Sequence, residues 1–137
     1  MADTVEFELV APEELLFSEP VELVVVPGAE GDFGVLPGHS PLISTLRTGV
    51  ISVYENDAVN RRIFVSGGFA KVTPERCTVL ADEAVALESA NRGDVEERVN
   101  AARAVLDAAA DDDKENAAAA LAISEALLLA LDTARQA

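Results

Sequence analysis

Apolar and polar residues alternate along the N-terminal part of the chain. In segment 5–10, Val5, Phe7 and Leu9 share one face and acidic residues separate them. That period of two is typical of a strand with one buried face. Segment 21–27 begins with the same alternation and becomes continuously apolar, as a strand covered on both faces does. Further β-rich runs occupy 49–55, 62–66, 69–73 and 77–82. Short strands separated by Pro, Gly and Asn/Asp turns predict a β-sandwich or flattened barrel over residues 1–88.

The period changes at about residue 89, where alanine becomes abundant and proline no longer occurs. Asn91 is a candidate N-cap, and Asp94 occupies the position three residues later that a capping box favours. Apolar residues then follow at 4-3-4 spacing, which places one stripe on a first helix: Val95, Val99, Ala102 and Leu106.

The polar run 111–116 interrupts this pattern, and a second helix is predicted over 117–135. So short a connection predicts an antiparallel two-helix hairpin over residues 89–137. The predicted packing positions of the hairpin are Val95, Val99, Leu106, Leu121, Leu128 and Leu131. Together with Leu127, the leucines of the second helix cover more than one stripe, so we expect part of that helix to need another partner.

Charge and cysteine usage narrow the function classes. The formal net charge is −15, which repels phosphate backbones and anionic lipid, so nucleic acid is not an expected partner. A single cysteine, Cys77, excludes an internal disulfide and fits a reducing compartment. Neither a targeting segment nor an apolar stretch of roughly 18 residues is visible, so we expect a soluble protein without direct membrane insertion.

Residues that could carry chemistry are sparse. The glycine-rich segment 28–34 lacks the lysine and hydroxyl of a Walker-type loop, and its acidic residues would repel phosphate, so its glycines are interpreted as turn residues. His39 beside Ser40 is poor geometry for nucleophilic catalysis, and one Cys with one His excludes a zinc cluster. Cys77 is interpreted as a small apolar filler rather than a reactive thiol. The run 111–113 is interpreted as a solvated turn, although aspartate triplets can loosely hold cations. We therefore expect no catalytic residue, metal or cofactor.

Two blocks carry a specific pattern. Segment 24–53 reads VVVPGAEGDFGVLPGHSPLISTLRTGVISV, and segment 63–85 reads IFVSGGFAKVTPERCTVLADEAV. Both resemble the epsilon subunit of bacterial F-type ATP synthases, called delta in mitochondria, and FELVAPEELLFS at 7–18 is similar to the first strand pair of that family. The resemblance extends over essentially the whole chain.

The resemblance implies a sandwich of about ten strands followed by a two-helix hairpin. It also implies a non-catalytic subunit of the rotor's central stalk, which binds the gamma subunit and the c-ring and helps couple proton-driven rotation to ATP synthesis. Such a subunit is peripheral, on the cytoplasmic face of the bacterial inner membrane. A stand-alone enzyme or small-ligand binder remains the alternative class, and it would require a pocket of convergent polar groups.

The resemblance also suggests contact residues. Asp32 and His39 would lie at the sandwich end that faces the c-ring loops, and four neighbours would flank the ring-facing and gamma-facing surface: Pro37, Gly38, Pro41 and Leu42. Asp32 would meet polar or basic groups of the ring. A turn-stabilising role is the alternative for His39.

A regulatory alternative concerns the hairpin. Some members bind ATP through an aspartate–arginine motif on the first helix; here Asp94 and Arg98 are four residues apart and a valine follows, so we expect no useful ATP binding and place Arg98 and Arg103 on the solvated face. Inhibitory members extend the hairpin to the catalytic alpha/beta head through basic residues. The second helix here has Arg135 against two acidic residues. We therefore expect weak or absent inhibition of ATP hydrolysis.

Overall fold

The structure is a computed structural model that describes residues 4–12 and 14–136, with side chains through Ala134. The chain divides into two compact units, Met1–Ala86 and Leu87–Ala137. The sequence places the boundary after residue 88, which lies within the 3-10 turn Leu87–Ser89. That finer placement stays a prediction.

In the described residues, ten strands form two five-stranded sheets. Sheet one has the order β2-β1-β9-β8-β5, and sheet two has the order β10-β7-β6-β3-β4. Strands β1 and β9 pair in parallel, and the other neighbours pair in antiparallel fashion. The predicted sandwich is confirmed. The strands are Val5–Ala11 (β1), Glu14–Val21 (β2), Leu23–Gly28 (β3), Gly31–Val35 (β4), Leu42–Thr45 (β5), Gly49–Glu55 (β6), Ala58–Val65 (β7), Gly68–Val72 (β8), Arg76–Ala81 (β9) and Ala84–Ala86 (β10).

The sandwich core is built from the inward positions of these strands and is mostly aliphatic. Val5, Phe7 and Leu9 of β1 are at most 1% exposed, as their alternation predicts. Phe17 is partly buried against the same core, with its ring centroid 5.3 Å from that of Phe7. Close packing of branched side chains gives this unit its rigidity.

The β6–β7 connection is tighter than the sequence suggests. Segment 55–60 is polar enough to be interpreted as a hairpin connection followed by a strand from residue 62. The hairpin connection is present, but it is shorter than predicted, because β7 already begins at Ala58. Asn56 (φ 54°) and Asp57 (φ 63°) form a two-residue turn in the left-handed region, which suits the twist of the hairpin. The Asn56 N–H donates to Glu22 Oε1 (2.5 Å) and anchors the turn.

The second unit contains two helices, α1 (Arg92–Ala108) and α2 (Lys114–Gln136), which pack against each other. The side chain of Asn91 accepts a hydrogen bond from the Asp94 N–H (3.0 Å), so the predicted N-cap is present. A 3-10 turn, Asp111–Asp113, joins the helices, and α2 begins three residues earlier than predicted. The helical hairpin agrees with the sequence-based expectation.

Among the predicted packing positions, Val95, Val99 and Leu131 are buried, whereas Leu106, Leu121 and Leu128 are half-buried. Leu127 is only 2% exposed, and Leu129 is 69% exposed. The buried positions of α2 recur at helical spacing, which is typical of one packed face: Ala117, Ser124, Leu127 and Leu131.

The expectation that no apolar stretch of roughly 18 residues occurs was wrong. Segment Asp111–Ala134 is long and apolar enough to cross a membrane by length and composition alone, and an 18-residue window within it has a mean hydropathy of 1.6. In that window, 22% of the residues are buried within the chain. Alanine accounts for much of the apolar character, and Glu115, Glu125 and Asp132 interrupt it. A helix that packs against a neighbour passes the same test, and α2 packs against α1, so this apolar character is weak evidence for a membrane span.

Cys77 provides a test of the sandwich core. Its side chain is fully buried on β9, and burial raises the pKa of the Cys77 thiol from its usual 9.0 to about 12. Below pH 9 the thiol is protonated in both the folded and the unfolded chain, and its contribution to stability is fully present. Between pH 9 and pH 12 the unfolded thiol ionises first, so the free energy of unfolding falls.

We predict that Cys77→Val shows a shallower loss of stability above pH 9 in urea denaturation, because it lacks the ionisable thiol. The difference in slope is at most about 1.4 kcal/mol per pH unit. Equal slopes for the two proteins would contradict the burial of this thiol.

Candidate functional site

Strands β4 and β5 form an open edge of the sandwich, called here the β4–β5 edge. Each is the last strand of its own sheet. Segments Ala29–Phe33 and Leu42–Thr45 line a cleft of about 480 Å³ between them. The Ala29 N–H donates to the Thr45 carbonyl (2.9 Å) and joins the two sheets at one end of this edge.

Apolar side chains are exposed along the β4–β5 edge. Ile43 is 71% exposed, and Leu36 and Leu42 are also exposed. An uncovered edge with apolar side chains is a template for association with another chain, and soluble proteins usually shield it. This edge is therefore well suited to contact a partner.

Asp32 lies on β4 at this edge and is paired with an arginine. Arg47 Nη2 donates to Asp32 Oδ1 (2.5 Å), Arg47 Nη1 donates to the Gly28 carbonyl (2.6 Å), and the Arg47 N–H donates to the Pro27 carbonyl (3.1 Å). The two side chains are 44% and 59% exposed. The charge of Asp32 is thus neutralised by Arg47 of the same chain.

His39 lies in the loop between β4 and β5 and is half-buried. The backbone N–H of His39 donates to the Leu36 carbonyl (3.1 Å), and the ring Nδ1 is 2.6 Å from the Ser40 carbonyl. Because a carbonyl only accepts, that second contact requires the proton on Nδ1. These local bonds favour the turn-stabilising alternative for His39.

The neighbours of His39 shape the same loop. Gly38 has φ +85°, a region that favours glycine, and its N–H donates to the Pro74 carbonyl (2.8 Å). Pro37 is half-buried, while Pro41 is exposed. The loop is therefore anchored to the β8–β9 turn.

Asp32 and His39 lie at different positions along the β4–β5 edge. Asp32 is beside the end of β5 at Arg47, whereas the loop that holds His39 is anchored where β5 begins. The strand between these points spans about 10 Å. The expectation that both residues lie at the sandwich end facing the c-ring stays a prediction, since most of β4 and the loop after it separate them along the chain. A single surface that includes both must follow the β4–β5 edge.

A second apolar surface crosses sheet one on its outer face. Val10 pairs with Leu15 on one side and with Leu80 on the other, and Leu80 pairs with Phe69. We call these four residues the outer apolar row. Leu15, Leu80 and Phe69 are 38–59% exposed. Their cross-strand register could not be read from the sequence, since it depends on the parallel pairing of β1 with β9.

The helical hairpin has a groove of about 420 Å³ on its surface, large enough for a small molecule. Its lining includes Glu96, Glu125 and Asp132 against Arg103, a formal balance of −2 (three negative, one positive). Such a lining repels phosphate groups.

Arg98 does not lie on the solvated face as predicted. It is half-buried, and its Nε donates to the Oγ of buried Ser124 (3.1 Å), which donates in turn to the Ala120 carbonyl (3.0 Å). The physical reason is that a buried hydroxyl on α2 offers the guanidinium an acceptor. Arg103 is 52% exposed, near Glu125 at 3.7 Å.

The start of α1 is fastened to the end of α2 by a two-bond ion pair. Arg92 Nε donates to Asp132 Oδ1 (2.7 Å), and Nη2 donates to Oδ2 (3.2 Å). Arg92 also pairs with Glu96. The hydrogen bonding of Arg92 to the Asp132 carboxylate raises the pKa of Arg92 above its usual value. These contacts join the two helices at the end of the hairpin opposite the connecting turn.

Among the described residues, no three His, Cys, Asp or Glu side chains are grouped closely enough to hold a metal ion. Arg47, Arg92 and Arg98 are engaged in contacts within the fold, and the β4–β5 edge and the outer apolar row are exposed apolar surfaces suited to contact another protein.

Comparison with known proteins agrees with this reading. Residues 4–87 match the family described as ATP synthase, Delta/Epsilon chain, beta-sandwich domain. The chain belongs to this family. The ATP synthase epsilon chain of Rhodospirillum rubrum is 60% identical over 131 residues, which cover 95% of this chain and 98% of that protein. The epsilon chain of Paramagnetospirillum magneticum is 46% identical over 132 residues, covering 96% and 99%.

A solved structure shares the fold of this delta/epsilon family member. A chain in the cryo-EM structure of the Euglena gracilis mitochondrial ATP synthase, OSCP/F1/c-ring, superposes with a TM-score of 0.77. It is 29% identical, and the match covers 96% of this chain and 83% of that chain. The likeness therefore includes the helices as well as the sandwich.

We predict that the purified protein binds MgATP no more tightly than about 1 mM, because the hairpin groove is acidic and Arg98 is held by Ser124. Isothermal titration calorimetry measures this directly. A micromolar dissociation constant would contradict the prediction.

Proposed function

We propose that this protein is the epsilon subunit of an F-type ATP synthase. It is a non-catalytic part of the central stalk, binds the gamma subunit and the c-ring, and helps transmit proton-driven rotation to ATP synthesis. It acts as a peripheral protein on the cytoplasmic face of the bacterial inner membrane. Its bacterial relatives, which match along nearly their whole length and are named ATP synthase epsilon chains, support this assignment.

The observation that carries the proposal is the exposed β4–β5 edge in a chain of this family. Apolar side chains on an unpaired edge favour burial against a partner by about 25 cal/mol per Å² of apolar surface. The outer apolar row offers a second surface on the same unit, so the sandwich can contact more than one rotor component. We assign the ring-facing role to the β4–β5 edge because the family resemblance implies that this part of the sandwich faces the c-ring.

The hairpin supports a structural role in preference to an inhibitory one. Among the described side chains of α2, Lys114 is the basic residue, and it lies at the first position of the helix. Glu125 and Asp132 face arginines of α1. A basic surface that could hold acidic segments of a catalytic head is therefore lacking on this part of α2. Arg135, the basic residue the sequence singled out, lies outside the described side chains.

Binding to a purified gamma–c-ring rotor tests the proposal. We expect the wild-type chain to co-purify with the rotor and Ile43→Lys to bind at least about tenfold more weakly, because the substitution removes apolar contact area and buries a charge. Lysine is well tolerated on exposed strand edges, so the isolated variant should keep its fold.

Val105→Lys provides a control, since Val105 is 61% exposed and Ile43 is 71% exposed, and Val105 lies on α1 and not on the helix that is expected to need another partner. It should bind the rotor like the wild type. Absence of wild-type binding, or equal loss in both variants, would contradict the proposed docking through the sandwich edge.

A further inference from the structure

Arg47 connects two chain segments at the β4–β5 edge. It follows Leu46, which bridges to Gly28 and whose N–H donates to the Gly68 carbonyl (2.9 Å). Three hydrogen bonds then run from Arg47 to Pro27, Gly28 and Asp32. One residue thus ties the β3–β4 hairpin to the segment between β5 and β6.

The hairpin that Arg47 holds is tightly built. A side chain at Gly28 would meet the Gly31 carbonyl at 2.8 Å and the Phe33 ring at 2.9 Å. Gly31 has φ +141°, where other residues are strained. The Gly28 carbonyl, which accepts from the guanidinium, is therefore presented by a turn with little freedom to move. A planar guanidinium can satisfy that carbonyl and a carboxylate together, which an ammonium group does less well.

The cleft of the β4–β5 edge depends on this arrangement, because residues 29–33 form one of its walls. Displacement of Asp32 or of the turn would change the width of the cleft. The Asp32 carboxylate is already neutralised, so a partner that approaches the edge meets the arginine–aspartate pair and not an isolated negative charge.

We infer that Arg47 is a positioning residue of the β4–β5 edge. It fixes the turn between Gly28 and Asp32 and neutralises the Asp32 carboxylate. Asp32 therefore affects docking by holding Arg47 and not by touching the partner. The inference rests on the proposed function. It assigns Asp32 an intramolecular task, in place of direct contact with basic groups of a ring.

A double-mutant cycle with Arg47→Met and Asp32→Asn separates the two tasks. Methionine keeps the apolar stem, and asparagine keeps the size and one acceptor oxygen of Asp32. Rotor affinity should fall by about fivefold in Arg47→Met, and adding Asp32→Asn should change it little further. Arg47→Lys should restore part of the affinity.

Arg103→Met is the matched control, since Arg103 is 52% exposed in a longer ion pair, and it should bind normally. Additive losses from Arg47→Met and Asp32→Asn would overturn the inference, because they would place Asp32 in direct contact with the partner.

Amide exchange in the free protein tests the same inference without a partner. The Ala29 amide, bonded to Thr45, should exchange at least about threefold faster in Arg47→Met, because the turn loses its fastening. The Gly38 amide, bonded to Pro74 at the other end of the edge, should be unchanged. Unchanged exchange at Ala29 would overturn the positioning role. Failure of the wild type to bind the rotor, with the exchange result as expected, would instead count against the proposed function.

Discussion

The unpaired backbone along β4 and β5 is the constraint around which the sandwich is arranged. Two five-stranded sheets that do not close into a barrel leave edges, and here the last strands of both sheets meet on one side. The glycine turn at residues 28–31, the Pro–Gly loop before β5 and the Arg47 contacts all shape that side. A rigid aliphatic core then holds the edge in one conformation, which suits a subunit that must transmit force.

The arginines of this acidic chain serve mainly to hold its own elements together. Arg76 binds Glu8 across β9 and β1 (2.6 Å), and Arg61 lies over the Phe17 ring at 4.7 Å. Arg92 and Arg98 fasten α1 to α2. Cations used in this way are not available to grip phosphate or an acidic partner. The surface left for contact is apolar along the edge and acidic around it, which favours protein–protein docking over chemistry.

Sequence patterns predicted the sandwich and the hairpin because both depend on local periodicity. Alternation in β1 and the Asn91 N-cap are read from neighbouring residues, and the structure has both. Short strands without alternation, such as β4 and β5, could not be recognised in this way, and the expected number of strands came from a family resemblance. The arginine contacts could not be predicted from the sequence either. Arg47 is fifteen residues from Asp32, and Arg98 finds Ser124 only once two helices have packed.

Hydrogen exchange by mass spectrometry, on the chain alone and on the chain bound to a gamma–c-ring rotor, tests the central claim most directly. The account predicts that binding slows exchange in segments 28–47 and in the strand ends that carry the outer apolar row. Slower exchange confined to the helical hairpin, with the β4–β5 edge unaffected, would contradict it.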